Sequence, residues 1–222
     1  MHSRSSRQRL SLSLASIALG LLSACGTSAQ SPSAQSPSPS SPMHSGMQHD
    51  MGHSMDLGPA DAEYDLRFID AMVPHHEGAI AMATDLAQKS KRPELQKLAK
   101  TMIAAQTQEV VQMNQWRKSW YPEAPAKPIA WHSQMQHSMA MTNAQVQAMR
   151  MDRDLGPADA DYDRRFLQAM VPHHEAAVVM ARDLAQKTRR PELQKLAKDI
   201  IASQQIEIDQ MKQWQGNWYK SN

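Results

Sequence analysis

From Gly58 onward, apolar residues return with a helical period. Phe68, Met72, His75/His76, Ala79, Met82/Ala83 and Leu86 fall on one stripe about 3.6 residues apart, which predicts an amphipathic helix. Pro59 near its first turn and Asp61 close behind suit its start, because proline needs no amide partner there and an acid favours the positive end of the helix dipole. The stripe stops at SKRPEL. Lys89, Lys91 and Arg92 sit at the negative end of this first helix, and Pro93 suits the first turn of a second. The second helix carries Leu95, Leu98, Met102, Ala105, Glu109, Met113, Trp116 and Trp120 along one face. Pro74 lies inside the first helix, where it removes an amide donor, yet the apolar period runs through it in phase. A continuous helix kinked just before the histidines is therefore expected, rather than a fresh start at the proline.

The whole pattern then repeats. LGPADAEYDLRFIDAMVPHHE at 57–77 returns as LGPADADYDRRFLQAMVPHHE at 155–175, and the offset of 98 holds through RPELQKLAK to a closing MxxWxxxWY. About two-thirds of positions 57–121 match their partners, so the chain is a duplication. One hairpin has an apolar face to hide, and two can hide theirs against each other. The expected fold is all-α, a four-helix bundle built from helical hairpins at 57–121 and 155–222 with kinked first helices. Residues 122–154 form the linker. In it Thr142 and Gln145 have the spacing of a capping box, predicting a short helix over TNAQVQAM.

Polar residues on the apolar stripes are the informative exceptions. With Met72 as the reference direction, His75 and His76 flank the stripe and Glu77 points away; on the second helix Gln106 and Glu109 face inward. A hairpin turning near 90–92 sets His76 roughly level with Gln106, and Met72 with Glu109 or Val110. Each repeat is thereby expected to gather its own set, Met72, His75, His76, Met82, Gln106, Glu109 and Met113 in the first copy. The second supplies Met170, His173, His174, Met180, Gln204, Glu207 and Met211. Two readings stay open: a hydrogen-bonded buried network, or a metal centre. Taken alone, the helical methionines are core filler.

Outside the helices the chemistry is plainer. Residues 43–55 read MHSGMQHDMGHSM and 131–141 read WHSQMQHSMAM. Neither tract has a helical face to fill, so both are expected to be flexible, and packing does not explain Met43, Met47, Met51, Met55, Met135, Met139 and Met141. The interleaved His44, His49, His53, His132 and His137 add imidazole to thioether. Seventeen methionines in 222 residues is a high share, and the tracts hold many of them. Thioether favours Cu(I) and imidazole serves Cu(I), Cu(II) and zinc, so the mixture points to copper, Cu(I) before Cu(II), with silver as a mimic. Structural zinc sites use four Cys and His ligands at fixed spacing, which these tracts lack.

The first 24 residues read as an export signal: Arg4, Arg7 and Arg9 precede a short apolar run from Leu10 to Leu22, too short to cross a bilayer. LSAC ends at Cys25, the only cysteine, and LSACG resembles the lipobox at which bacterial lipoproteins are acylated. That resemblance implies a lipid anchor on Cys25, an exported protein on the cell envelope, and a mature chain without thiol or disulfide. Residues 26–42 hold only small, polar and proline residues and serve as a tether, so 25–56 forms a lipidated, disordered lead-in. Of the 24 Lys and Arg, three leave with the signal, so the rest nearly balance the 22 Asp and Glu. No basic patch remains to bind nucleic acid.

YDxRFxxAMVPHHEAA, the RPELQKLA turn and the QxxExxxMxxW end resemble the bacterial secreted proteins grouped as domain of unknown function 305. The likeness runs over roughly 57–222. It implies a ferritin-like bundle of two-helix repeats with a functional HH pair. It also likens the 142–149 segment to the short helix before the second repeat in such proteins, and places Met- and His-rich relatives among extracytoplasmic copper-resistance proteins. One departure matters: di-iron bundles use Glu-x-x-His on their helices, and no ExxH occurs in these repeats. Three functions remain in view: a non-enzymatic copper-buffering lipoprotein with or without a transfer partner, a metal-dependent redox enzyme, and an envelope scaffold with structural His pairs.

Overall fold

The computed structural model describes residues 56–219, in the order α1 (Tyr64–Lys89), α2 (Pro93–Trp120), β1 (Ile129–His132), β2 (His137–Ala140), α3 (Asn143–Arg150), α4 (Tyr162–Lys187) and α5 (Pro191–Trp218). The signal, the tether, Cys25 and the tract at 43–55 lie outside the described residues. Most of the described chain is helical, as the apolar period requires, with one small two-stranded sheet.

α1 passes through Pro74 unbroken, and α4 through Pro172. Both start later than expected, at Tyr64 and Tyr162. Gly58 and Gly156 adopt left-handed backbone with φ of 76° and 77°, and the next carbonyls are already engaged. Pro59 O accepts from Asp61 N at 2.9 Å and from Arg67 Nη2 at 2.7 Å. Pro157 O does the same with Asp159 N at 2.9 Å and Arg165 Nη2 at 2.8 Å. With those oxygens taken, 58–63 stays a turn. The hairpin turns where the sequence placed them, between Lys89 and Pro93 and between Lys187 and Pro191.

The repeats clasp each other reciprocally. Tyr64 Oη donates to Asp183 Oδ2 at 2.6 Å, and Tyr162 Oη to Asp85 Oδ2 at 2.6 Å. Lys187 Nζ reaches Gly58 O at 3.0 Å and Lys89 Nζ reaches Gly156 O at 2.9 Å. Arg190 pairs with Asp65 and lies 4.2 Å over Trp120; Arg92 pairs with Asp163 and lies 4.1 Å over Trp218. Every contact returns at the offset of 98, so a pseudo-two-fold axis relates the halves, and α1 and α4 run antiparallel across it. Two apolar clusters follow. One joins Tyr64, Phe68, Met72 and Met113 to Met180, Leu184, Leu193 and Ile200; the other joins Tyr162, Phe166, Met170 and Met211 to Met82, Leu86, Leu95 and Met102. Each cluster takes residues from both repeats. At about 1.5–3 kcal/mol for each fully buried large apolar side chain, this shared burial makes the halves interdependent.

The linker departs from expectation. The tract at 131–141 is not flexible: β1 and β2 pair antiparallel with Ile129 opposite Ala140, Ala130 opposite Met139, Trp131 opposite Ser138 and His132 opposite His137. Three anchors on the first repeat order it. Ile129 N donates to the buried Asp70 Oδ2 at 2.8 Å, where Arg117 Nη2 also donates at 3.2 Å. Arg67, fully buried, donates through Nη1 to Ser138 Oγ at 2.9 Å and lies 5.2 Å from the Trp131 ring. Trp131 packs so close to Gly58 that a Cβ there would meet its ring at 2.5 Å. α3 begins with the expected capping box, Gln145 N donating to Thr142 Oγ1 and Thr142 N to Gln145 Oε1.

Candidate metal centre

The inward polar residues meet where α1 and α4 cross, at the waist between the two apolar clusters. His75 and His173 are equivalent under the pseudo-two-fold, and their rings touch across it with centroids 3.9 Å apart and planes at 47°. Their neighbours His76 and His174 reach back to their own second helices, His76 Nε2 to Glu109 Oε2 at 2.8 Å and His174 Nε2 to Glu207 Oε2 at 2.7 Å. All four imidazoles are buried, at 0–1% exposure. The register within each hairpin lies about one turn from the expected one: Glu109, rather than Gln106, stands level with His76.

Hydrogen bonding assigns the tautomers. A carboxylate only accepts, so Nε2 of His76 and of His174 carries the proton. His173 Nε2 donates in the same way to Arg150 O at 2.9 Å. In the neutral ring Nδ1 of His76, His173 and His174 is then a lone pair, and in all three it is buried and without a partner; neither ring nitrogen of His75 has one. Gln106 Oε1 and Gln204 Oε1 are likewise buried and unpartnered. Burial and the neighbouring imidazoles push the His75 ring well below the usual histidine range, and burial pushes His173 down to about 3. Both rings stay neutral near pH 7. Unpaired imidazole lone pairs, backed by N–H donors held to carboxylate or carbonyl oxygen, form the pattern that metal-ligating histidines use.

Among the described residues no three His, Cys, Asp or Glu side chains converge on one ion position. The fit is thus to an ion content with one or two imidazoles, completed by thioether. Met72 and Met170 stand three and four residues before their HH pairs on the same helices, the spacing that brings side chains together, and both are fully buried. The expected single-repeat sets are redistributed. Met72 and Met113 share a cluster with Met180 of the other repeat, while Met82 belongs with Met170 and Met211.

The two halves differ at the waist. Gly78 corresponds to Ala176, and a Cβ at Gly78 would lie 1.9 Å from Arg150 O. Glycine there lets α3 press on α1, placing the carbonyl that holds His173. This contact was missed, although the Gly/Ala difference between otherwise matching copies was its signal. Glu109 is 18% exposed and borders a cleft of about 380 Å³ lined also by Gln112, Trp116, Glu192, Lys195 and Asp199, so the carboxylate that holds His76 is itself reached by solvent. Away from the waist, His132, His137, Met135 and Met139 sit on the hairpin, while Met141 is buried.

The family described as a domain of unknown function (DUF305) matches residues 18–117 and 65–215. A solved structure described as CopM in the Cu(II)-bound form is 42% identical, with a TM-score of 0.57, covering 70% of this chain and 97% of that one. CopM in the Cu(I)-bound form is 40% identical with a TM-score of 0.53, covering 70% and 98%. A DUF305 fragment from Deinococcus radiodurans is 28% identical with a TM-score of 0.53, covering 72% and 99%. An uncharacterized protein, L153, from Acanthamoeba polyphaga mimivirus is 43% identical over 49 residues, a stretch that spans 22% of this chain and 32% of that relative.

Proposed function

The chain belongs to the DUF305 family, and from that premise we propose that it binds copper as cargo, buffering the ion on the outer side of the cytoplasmic membrane without turning it over. The observation that carries this reading is the set of buried, unpaired imidazole lone pairs at the waist, three of them on rings whose opposite nitrogen is held by an oxygen. One or two of His75, His76, His173 and His174 would hold the ion, with Met72 or Met170 supplying thioether. Glu109, Glu207 and the Arg150 carbonyl orient the rings. Cu(I) suits the site because soft, neutral ligands match it and a monovalent ion costs less to bury than a divalent one. The likeness to CopM, solved with Cu(II) and Cu(I), supports the same ion.

Export rests on residues 1–24, and anchoring rests on Cys25. No helix among the described residues is long and apolar enough to cross a membrane; a lipid on Cys25, where LSACG resembles a lipobox, would supply the attachment. Cys25→Ser should move the protein from the membrane to the soluble fraction.

Competition against a chromophoric Cu(I) chelator tests the waist. The combined His76→Ala and His174→Ala variant should lose the tightest class, by about 10-fold or more, with its helical circular dichroism intact. Unchanged tight binding, with only a lowered melting temperature, would make the histidines structural.

A further inference from the structure

The β1–β2 hairpin has two faces of different character. Residues alternate along a strand, so Trp131 and its partner Ser138 share the inner face. Their contacts with Gly58 and Arg67 fix that face against the first repeat. His132, its partner His137 and Met139 therefore lie together on the outer face. His132 and His137 are directly opposite each other, where Cβ atoms stand about 4.5–5.5 Å apart, close enough for two imidazoles to grip one ion. Met139 is two residues from His137 on the same strand and 42% exposed. No apolar neighbour is needed to explain a thioether there.

The rings are also oriented. His137 Nδ1 donates to Met135 O at 3.0 Å, which turns its Nε2 lone pair outward. Met135 N is shared between His132 O at 3.1 Å and His132 Nδ1 at 3.3 Å. Nδ1 of His132 accepts only the weaker arm of that forked bond, and because Met135 N keeps His132 O, an ion can displace that arm and take the Nδ1 lone pair. Gln136, with a left-handed φ of 54°, closes the turn that brings the two strands into register.

We propose that the outer face of this hairpin is a preformed, solvent-open copper site in which His132 and His137 form a cross-strand chelate and Met139 is the third ligand. It rests on the reading of the protein as a copper binder and adds a second class of site. The waist hides its ion, whereas the hairpin presents one at the surface. Two imidazoles with open positions for water suit Cu(II), and the thioether gives the same face a soft donor suited to Cu(I).

The test is Cu(II) titration of the full chain followed by electron paramagnetic resonance. His132→Ala and His137→Ala should each remove the same single equivalent with two-nitrogen hyperfine structure, because losing either arm weakens a chelate by about 100-fold. A composition-preserving variant, His137→Ala with Ala140→His, moves one imidazole to the other face of the strand while leaving Trp131, Ser138 and Arg67 untouched. It should lose that equivalent as fully as either alanine change, with an unchanged melting temperature. Retention of the signal in the moved-histidine variant would mean a composition effect rather than a face, and would overturn the proposal. Copper that binds the chain but ignores all three hairpin variants would overturn the hairpin and leave the waist standing. Loss from these variants, with the waist variants without effect, would support the hairpin and remove the waist.

Discussion

The four waist histidines carry the functional reading, and their burial has a thermodynamic consequence. In the unfolded chain each would take up a proton as pH falls through about 6.5, whereas folded His173 resists until about 3 and His75 is also held neutral. Between those limits the unfolded state binds more protons, so stability is full above about pH 6.5 and falls as pH drops toward 3. Urea melts from pH 7 to pH 5 should show this slope, and His75→Gln with His173→Gln should flatten it; an unchanged slope would assign it to other groups. For the same reason copper held by His75 or His173 should survive mild acid. Gly78→Ala is the sharpest single-residue test of α3. A methyl group 1.9 Å from Arg150 O forces the helix outward, at about 1–3 kcal/mol, and frees the His173 Nε2–H; a neutral change in thermal melting would contradict that contact. The inward-facing histidines were legible because polar residues on an apolar stripe demand explanation. The pairing of His75 with His173 was not, since helical period fixes which face a residue occupies and says nothing of which second helix meets it.

At the level of elements, the duplication foretold two hairpins and the capping box foretold α3. The linker hairpin escaped notice because its strands span only Ile129–His132 and His137–Ala140, too short to show alternation against a Met/His-rich background. Its docking left a trace nonetheless. Asp70 and Arg117, which hold Ile129 N and the Pro125 carbonyl, correspond to Gln168 and Gln215 in the second copy. Arg67 is fully buried, whereas the side chain of its partner Arg165 is 31% exposed. Charge survives where the hairpin needs it. Asp70→Ala should leave the buried Ile129 N–H and the Arg117 fork without their acceptor, costing about 1–3 kcal/mol, and should detach the hairpin. Limited proteolysis between 122 and 142 reads this directly; resistance equal to that of the unaltered chain would show that Trp131 and Arg67 suffice.

Across the whole molecule, the two apolar clusters share residues from both repeats, and the histidines occupy the seam between them. Binding at the seam therefore reports on the closed, paired bundle rather than on either hairpin. The reciprocal Tyr64–Asp183 and Tyr162–Asp85 bonds hold that seam. Tyr64→Phe with Tyr162→Phe should lower both the melting temperature and the waist affinity together. Loss of stability without loss of affinity would separate the seam from the site. The claim that the waist holds copper is tested most directly by copper K-edge X-ray absorption on the chain carrying His44→Ala, His49→Ala, His53→Ala, His132→Ala and His137→Ala. Once the signal has been removed, that variant keeps imidazoles only at positions 75, 76, 173 and 174. With one equivalent of Cu(I) bound, imidazole scattering together with a sulfur shell is the expected result; a sulfur shell without imidazole scattering would contradict the account.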